Sequence, residues 1–279
     1  PHAAPSVAHR RAHQRVEVRA AVDRALVWLL ADQGDDGGWH DVQEKLPERE
    51  AIRPYYDDIG TSAFAVQALA RHHDLWPEPA VGLSDRDGAL VRGLDYLVRQ
   101  QDEHGCYGVE GQLEYMISHP VAMEAVALGI GALGDEGLGA ERLATLRASL
   151  ERAVTFAEEA RNPYGAWRYS YPPIGDNGSM QSGRFVLGLV EAFAVDVHAA
   201  PQTFAGAFSW FEEVYDPETG RTGCLSRGDF APRIYELHEE FPADKVELAT
   251  AMPRSAPAWR TVTPVTLPSS CFSPTSAVS

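Results

Sequence analysis

Four short stretches of this sequence repeat one spacing, and a repeat restricts the architecture before any single residue is interpreted. Ala25, Gly93, Ala153 and Ala207 are each followed three residues later by a large aromatic: Trp28, Tyr96, Phe156 and Trp210. Five residues further on stand Gln33, Gln101, Arg161 and Tyr215. A Gly-x-aromatic or Gly-x-apolar element then closes each copy: Gly37-Gly38-Trp39, Gly105-Cys106-Tyr107, Gly165-Ala166-Trp167 and Gly223-Cys224-Leu225. The interval from the first aromatic to the closing residue is 11 in three copies and 15 in the fourth, where Pro217 to Gly220 reads as a turn insertion.

Each copy begins with a helical period. Val18, Val22, Ala25 and Leu29, and again Leu143, Leu146, Leu150 and Val154, recur at the spacing that puts apolar side chains on one helix face. Such a helix ends near the Gln position, where glycines stop it. The small residue admits a neighbouring helix, and the closing Trp or Tyr folds back over the helix end as a lid. Between these helices lie more apolar ones over Thr61 to Ala70, Val121 to Leu133, Ser179 to Val195 and, briefly, Asp244 to Ala251. Polar outer helix and apolar inner helix, four times over, predict an all-α chain of side-by-side αα-hairpins, about eight helices in all.

Charge separates a working domain from its ends. The net charge is −16, only Lys45 and Lys245 are lysines, and every acid falls between Glu17 and Glu247. Residues 1–16 read as a flexible N-terminal arm, 17–250 as the repeat domain and 251–279 as an irregular Pro/Ser/Thr-rich tail. The repeat domain holds 19 basic and 40 acidic residues, a net of −21. Nucleic acid is disfavoured as a partner, because phosphate needs a basic face. No apolar run reaches the ~18 residues of a membrane span, and none in the first sixteen forms a signal-peptide core, so a cytoplasmic location is expected. Cys106, Cys224 and Cys271 form no CxxC pair.

Ala25-x-x-Trp28-Leu29-x-x-x-Gln33-x-x-x-Gly37-Gly38-Trp39 resembles the QW motif of the prenyltransferase and squalene-cyclase repeat proteins. Three later stretches resemble bacterial repeat proteins of that superfamily. They are Tyr56-Asp57-Asp58-Ile59-Gly60-Thr61, Ser118-His119, and Gly165-Ala166-Trp167-Arg168-Tyr169 followed by Asp176. The resemblance implies a partial α/α toroid in which inner helices surround an apolar cavity.

Two chemistries known on that fold can be compared with this chain. The resemblance places Asp57, with Asp58 beside it, where class II terpene cyclases carry the acid that protonates an isoprenoid, but Tyr55 stands in place of the leading Asp. A strong acid needs a carboxyl kept protonated by burial and partners, whereas an acid before a helix also serves as a cap. His104, Cys106 and His119 mimic the zinc ligands of protein prenyltransferases, with His replacing the Asp. A core or helix-capping role is the alternative for His119. Asp32 to Gly37 lacks the ligand spacing of a calcium loop. The paired acids Glu158-Glu159, Glu212-Glu213 and Glu239-Glu240 suit solvated helix faces better than a glycan-cleaving pair.

About eight helices are too few to close the ring that the resemblance implies. The expectation is therefore a binding or interaction scaffold with an apolar, aromatic-lined concave face and no cofactor. Tyr55, Tyr56, His119, Trp167, Tyr169, Tyr171, Asp176 and Arg184 are the candidate ligand contacts, lid packing being the other role open to Trp167 and Tyr171. The partner would be a hydrophobic or isoprenoid small molecule, or a protein completing the helical arc. The alternative is a terpene-cyclase-like enzyme with Asp57 as general acid, and behind it a zinc-dependent prenyltransferase-like or glycan-active toroid.

Overall fold

The computed structural model describes residues 7–40, 58–108, 115–169, 171–173, 177–225 and 227, with only the backbone course given for 7–16. Seven helices account for most of them: α1 Val7–Ala31, α2 Asp58–Leu75, α3 Arg86–Arg99, α4 Tyr115–Leu138, α5 Ala140–Glu159, α6 Ser179–Ala194 and α7 Pro201–Val214. α1 thus starts inside the stretch assigned to the N-terminal arm. Pro217 to Gly220 is a turn, as its composition suggested, and it joins two-residue strands β1 Tyr215–Asp216 and β2 Arg221–Thr222 in an antiparallel hairpin. The expected helix at Asp244 to Ala251 and the tail 251–279 lie outside the described residues.

α2, α4 and α6 pack on one another in that order, α4 making extensive contact with both neighbours. α3 lies against α2 and α4, α5 against α4, and α7 against α6. α4 has no polar face, because it is buried from Tyr115 through Ile130 except for a half-buried Ile117. It is long and apolar enough to cross a membrane, yet 83% of its most apolar window is buried inside the protein, as in a core helix.

The repeat is visible atom by atom at the helix ends. After α1, Gly34 N–H donates to the Gly38 carbonyl and Gly37 N–H to the Gly34 carbonyl. The same pair of bonds links Asp102 with Cys106 and Gly105 with Asp102 after α3, and Asn162 with Ala166 and Gly165 with Asn162 after α5. The second bonded glycine sits at φ 89°, 90° and 94° in turn, a region where a side chain is strained. Added Cβ atoms on Gly37 and Gly105 would also stand 2.5 Å from the carbonyl oxygens of Arg92 and Arg152 on the next flanking helix.

The closing residue is then fixed from two directions. Trp39 Nε1 donates to the Leu29 carbonyl at 2.8 Å and Trp167 Nε1 to Ala157 at 2.7 Å, while Tyr107 shares a 2.6 Å hydrogen bond with Ser149. Their backbone N–H groups donate to Ser62 Oγ, His119 Nδ1 and Ser182 Oγ of the following helix, at 2.8, 3.0 and 3.1 Å. The Gln position joins one copy to the next: Gln33 Nε2 donates to the Gly37 and Ala89 carbonyls, and Gln101 Nε2 to those of Gly105 and Ser149. Arg161 makes the matching reach to the Gln202 carbonyl. The side chain after each helix end thus donates to a backbone carbonyl of the next flanking helix, which ties neighbouring copies together.

A buried arginine holds the α2–α3 connection. Arg86 is fully buried and donates to the Trp76 and Pro77 carbonyls at 2.7 and 3.0 Å and to Asp87 at 2.7 Å. His72, against the same guanidinium, faces Asp23 of α1 at 2.9 Å.

Candidate functional site

Three groups of side chains gather near the sequence-predicted positions. Tyr55, Tyr56, Asp57 and Asp176 lie outside the described residues. Asp58 is the first residue of α2 and stands 41% exposed with Oδ2 at 3.1 Å from His40 Nδ1. The other ring nitrogen of His40 meets Asp36 at 2.9 Å, so a protonated ring donates in both directions. The hydrogen bond to Asp36, then the one to Asp58, raises the His40 pKa above its ordinary value against the opposing effect of burial. Burial works against Asp36 as well, but bonds from His40 and the Gly38 N–H keep its carboxyl below the usual range. Tyr96 borders the same group, and burial followed by the charges of Asp58 and Asp36 pushes its phenol up to about 12. A proton held between two carboxylates at the surface is what this arrangement provides. In a proton NMR titration His40 should therefore titrate above 6.5, and Asp58→Asn should bring it down; an unchanged value would show that the Asp58 contact is not formed in solution.

His119 occupies the core. It accepts from the Tyr107 N–H, donates through Nε2 to the Ala153 carbonyl at 3.2 Å, and lies between the rings of Tyr107, Phe156 and Phe185. Burial drives its pKa down to about 3, the bond to Ala153 opposing. His104, Cys106 and His119, the residues of the zinc alternative, have separate surroundings. His104 is exposed beside Glu103, Cys106 is buried in the lid, and no group of three His, Cys, Asp or Glu able to hold a metal occurs among the described residues. His119 is spent on the repeat position that Ser62 and Ser182 fill in other copies.

The remaining candidates divide by burial. Trp167 is fully buried and stacks on Phe185 with ring centroids 4.7 Å apart, and Tyr171 packs on Phe156 at 5.0 Å. Tyr115 ties its hydroxyl to the Tyr171 backbone. Tyr169 and Arg184 remain partly exposed, Tyr169 beneath the Arg168 guanidinium at 4.8 Å and Arg184 over the Phe64 ring at 5.4 Å.

Sequence reasoning missed a cross-link between the three central helices. Arg71 of α2 donates to Glu124 of α4 at 3.0 Å and to Glu191 of α6 at 3.3 Å. Glu124 is 4% exposed, and its Oε2 has no hydrogen-bond partner. A signal was present, since Glu124 is the only acid in the apolar run from Tyr115 to Gly134. Buried Asn177 Oδ1 and Gln181 Nε2 are likewise without partners, at the start of α6. Phe64, Arg71, Arg184, Leu187 and Glu191 give the surface between α2 and α6 a mixture of apolar and charged groups.

Comparison with known proteins agrees with the repeat at a distance. Over 235 residues, 77% of this chain, the sequence is 24% identical to the squalene–hopene cyclase of Zymomonas mobilis subsp. mobilis. The chain spans about a third of that relative's length, 32% of it. A distant link to the terpenoid-cyclase and protein-prenyltransferase superfamily follows. No family model matches, and no solved structure does.

Proposed function

We propose that this chain is a repeat scaffold of the terpenoid-cyclase type, its hairpins forming part of an α/α toroid, and that it binds a ligand or partner on the concave side of α2, α4 and α6 without carrying out chemistry. The observation that carries this reading is Arg71, which places a guanidinium between Glu124 of α4 and Glu191 of α6. Asp58, beside the candidate acid Asp57, is 41% exposed and hydrogen-bonded to a histidine whose charged form it favours, so it is engaged as an ion-pair partner. Arg71 brings charge to the side where a cation-forming enzyme needs a dry apolar wall, and water near a carbocation quenches it. Phe64 and Leu187 beside Arg71 and Arg184 suit a hydrophobic or isoprenoid molecule with a polar end. Tyr55, Tyr56, Tyr169, Asp176 and Arg184 are the proposed contacts. A cytoplasmic setting without nucleic acid belongs to the same reading.

The similarity to squalene–hopene cyclase over most of the chain favours a second reading, an enzyme using Asp57 as general acid. The two separate in one experiment. Purified protein is extracted for bound lipid and analysed by mass spectrometry. Wild type and Asp57→Asn are then incubated with squalene, oxidosqualene and geranylgeranyl diphosphate. The expected result is an apolar lipid retained by both proteins and no cyclised product from either. A cyclic product made by wild type and lost in the variant would establish the enzyme.

A further inference from the structure

Two stripes of side chains face each other across α4. On α2, Phe64, Ala68 and Arg71 are exposed; on α6, Leu187 is exposed and Arg184 and Glu191 are half-buried. The Arg184 guanidinium lies over the Phe64 ring at 5.4 Å, and Arg71 reaches Glu191 at 3.3 Å. On each helix the second contact falls seven residues after the first, so the stripes stay in register for two turns, about 10 Å. Ala68 and Leu187 stand between these two contacts and make the middle of the groove apolar, with a small residue on one wall.

Glu124 of α4, only 4% exposed, lies beneath the Arg71 end. Its Oε1 accepts from Arg71 Nη2 at 3.0 Å, and the same nitrogen turns to Glu191. A guanidinium can grip both oxygens of a carboxylate through two parallel bonds. Shared between two acids, this one grips a single oxygen, and Glu124 Oε2 is buried without a partner. The neighbouring walls do not help: Gln67 Nε2 is committed to the Val121 carbonyl at 2.9 Å. Gly188 seats α6 so closely that an added Cβ would stand 2.7 Å from Met123 Cε and 2.8 Å from the Pro120 carbonyl oxygen. Towards the groove the cover is Arg71, a long side chain 52% exposed, which can shift without disturbing the core. A buried carboxylate oxygen without a donor is costly, so a molecule that brings a donor into the groove gains what the protein lacks.

Charge and donor capacity narrow the head group. Arg71 and Arg184 offset Glu124 and Glu191, so the groove calls for no net charge. A diphosphate would carry acceptors towards two carboxylates, and a hydrocarbon or an ether would leave Oε2 bare. A hydroxyl supplies the donor without burying a further charge. We infer that the groove between α2 and α6 binds an apolar alcohol, its chain along Phe64, Ala68 and Leu187 and its hydroxyl donating to Glu124 Oε2. The inference rests on the ligand-binding reading above and names the chemistry of that ligand's polar end.

Calorimetric titration of the full-length chain with farnesol, its methyl ether and farnesyl diphosphate tests this. The alcohol should bind at least about tenfold more tightly than either of the others. Glu124→Gln, with its oxygen turned to Arg71, presents an N–H in place of Oε2, so ether and alcohol should bind within about twofold of each other. Ala68→Phe, on the exposed face of α2, should fill the groove and weaken farnesol at least about tenfold while the urea midpoint stays unchanged. Alcohol and ether bound equally by the parent chain would overturn the inference and leave the scaffold reading standing. Tighter binding of the diphosphate, no binding of farnesol, a preference that survives Glu124→Gln, or farnesol binding indifferent to Ala68→Phe would each overturn it as well. A cyclised product from squalene would instead remove the scaffold reading, and the alcohol preference, read from binding alone, would still stand or fall by these titrations.

Discussion

Replacing Trp39 by alanine should destabilise the protein by about 3–5 kcal/mol, while the same change at Trp28, eleven residues earlier in the same copy, should cost less than about 0.5 kcal/mol. Trp39 is 1% exposed, and its loss would leave a void against Gly93 and Val66 and remove the indole hydrogen bond to the Leu29 carbonyl. Trp28 is 65% exposed although Tyr96, Phe156 and Trp210, its equivalents, are all below 8%. The difference comes from position in the row. The Gly38 backbone lies against the Tyr96 ring, so the lid of the first copy covers the aromatic of the second, and no described copy precedes Trp28 to do the same. Urea unfolding read by far-ultraviolet circular dichroism would show a lower midpoint for Trp39→Ala and an unchanged one for Trp28→Ala. Equal shifts would mean that the two aromatics do not occupy the different places assigned to them.

Features written locally were legible before the structure. Helix ends, lid glycines and the turn at Pro217 to Gly220 depend on neighbours within one copy, so spacing alone located them. The residues that join copies were not. Ser62, His119 and Ser182 serve one role at 23, 12 and 15 residues beyond their lids, and an interval that varies this much leaves no pattern to count. Two of the three are serines, and only the hydrogen bonds show that a histidine stands among them as an equal. The Arg86 hub and the pairing of Arg71 with Glu124 and Glu191 depend on contacts of the same long range. His40 escaped notice because its two carboxylates come from different elements, the first lid and the start of α2.

The position shared by two serines and a histidine has a consequence for acid stability. His119 is fully buried with both ring nitrogens bonded, and it is held neutral with a pKa near 3, against 6.5 in an unfolded chain. The unfolded state therefore takes up the proton first. The stability from neutral His119 is complete above pH 6.5, declines as pH falls below that value and continues to decline until about pH 3. By pH 5 the loss amounts to roughly 2 kcal/mol. His40 acts in the opposite sense, because its raised pKa favours the folded state as it protonates. Asp36 and Asp87 enter only below the ordinary carboxylate range, their pKa values being lowered. A variant that changes His119 alone separates these contributions. His119→Ser retains an oxygen that can accept the Tyr107 N–H, as Ser62 and Ser182 do for Trp39 and Trp167, but it opens a void beside Phe156 and Phe185. The variant should be less stable at pH 7 by about 2–4 kcal/mol. Between pH 7 and pH 5 the gap to wild type should narrow by roughly 2 kcal/mol, since only wild type still has a buried imidazole to protonate. Urea midpoints measured across that range decide the matter. Parallel curves for the two proteins would show that His119 is not the neutral, desolvated group this core requires.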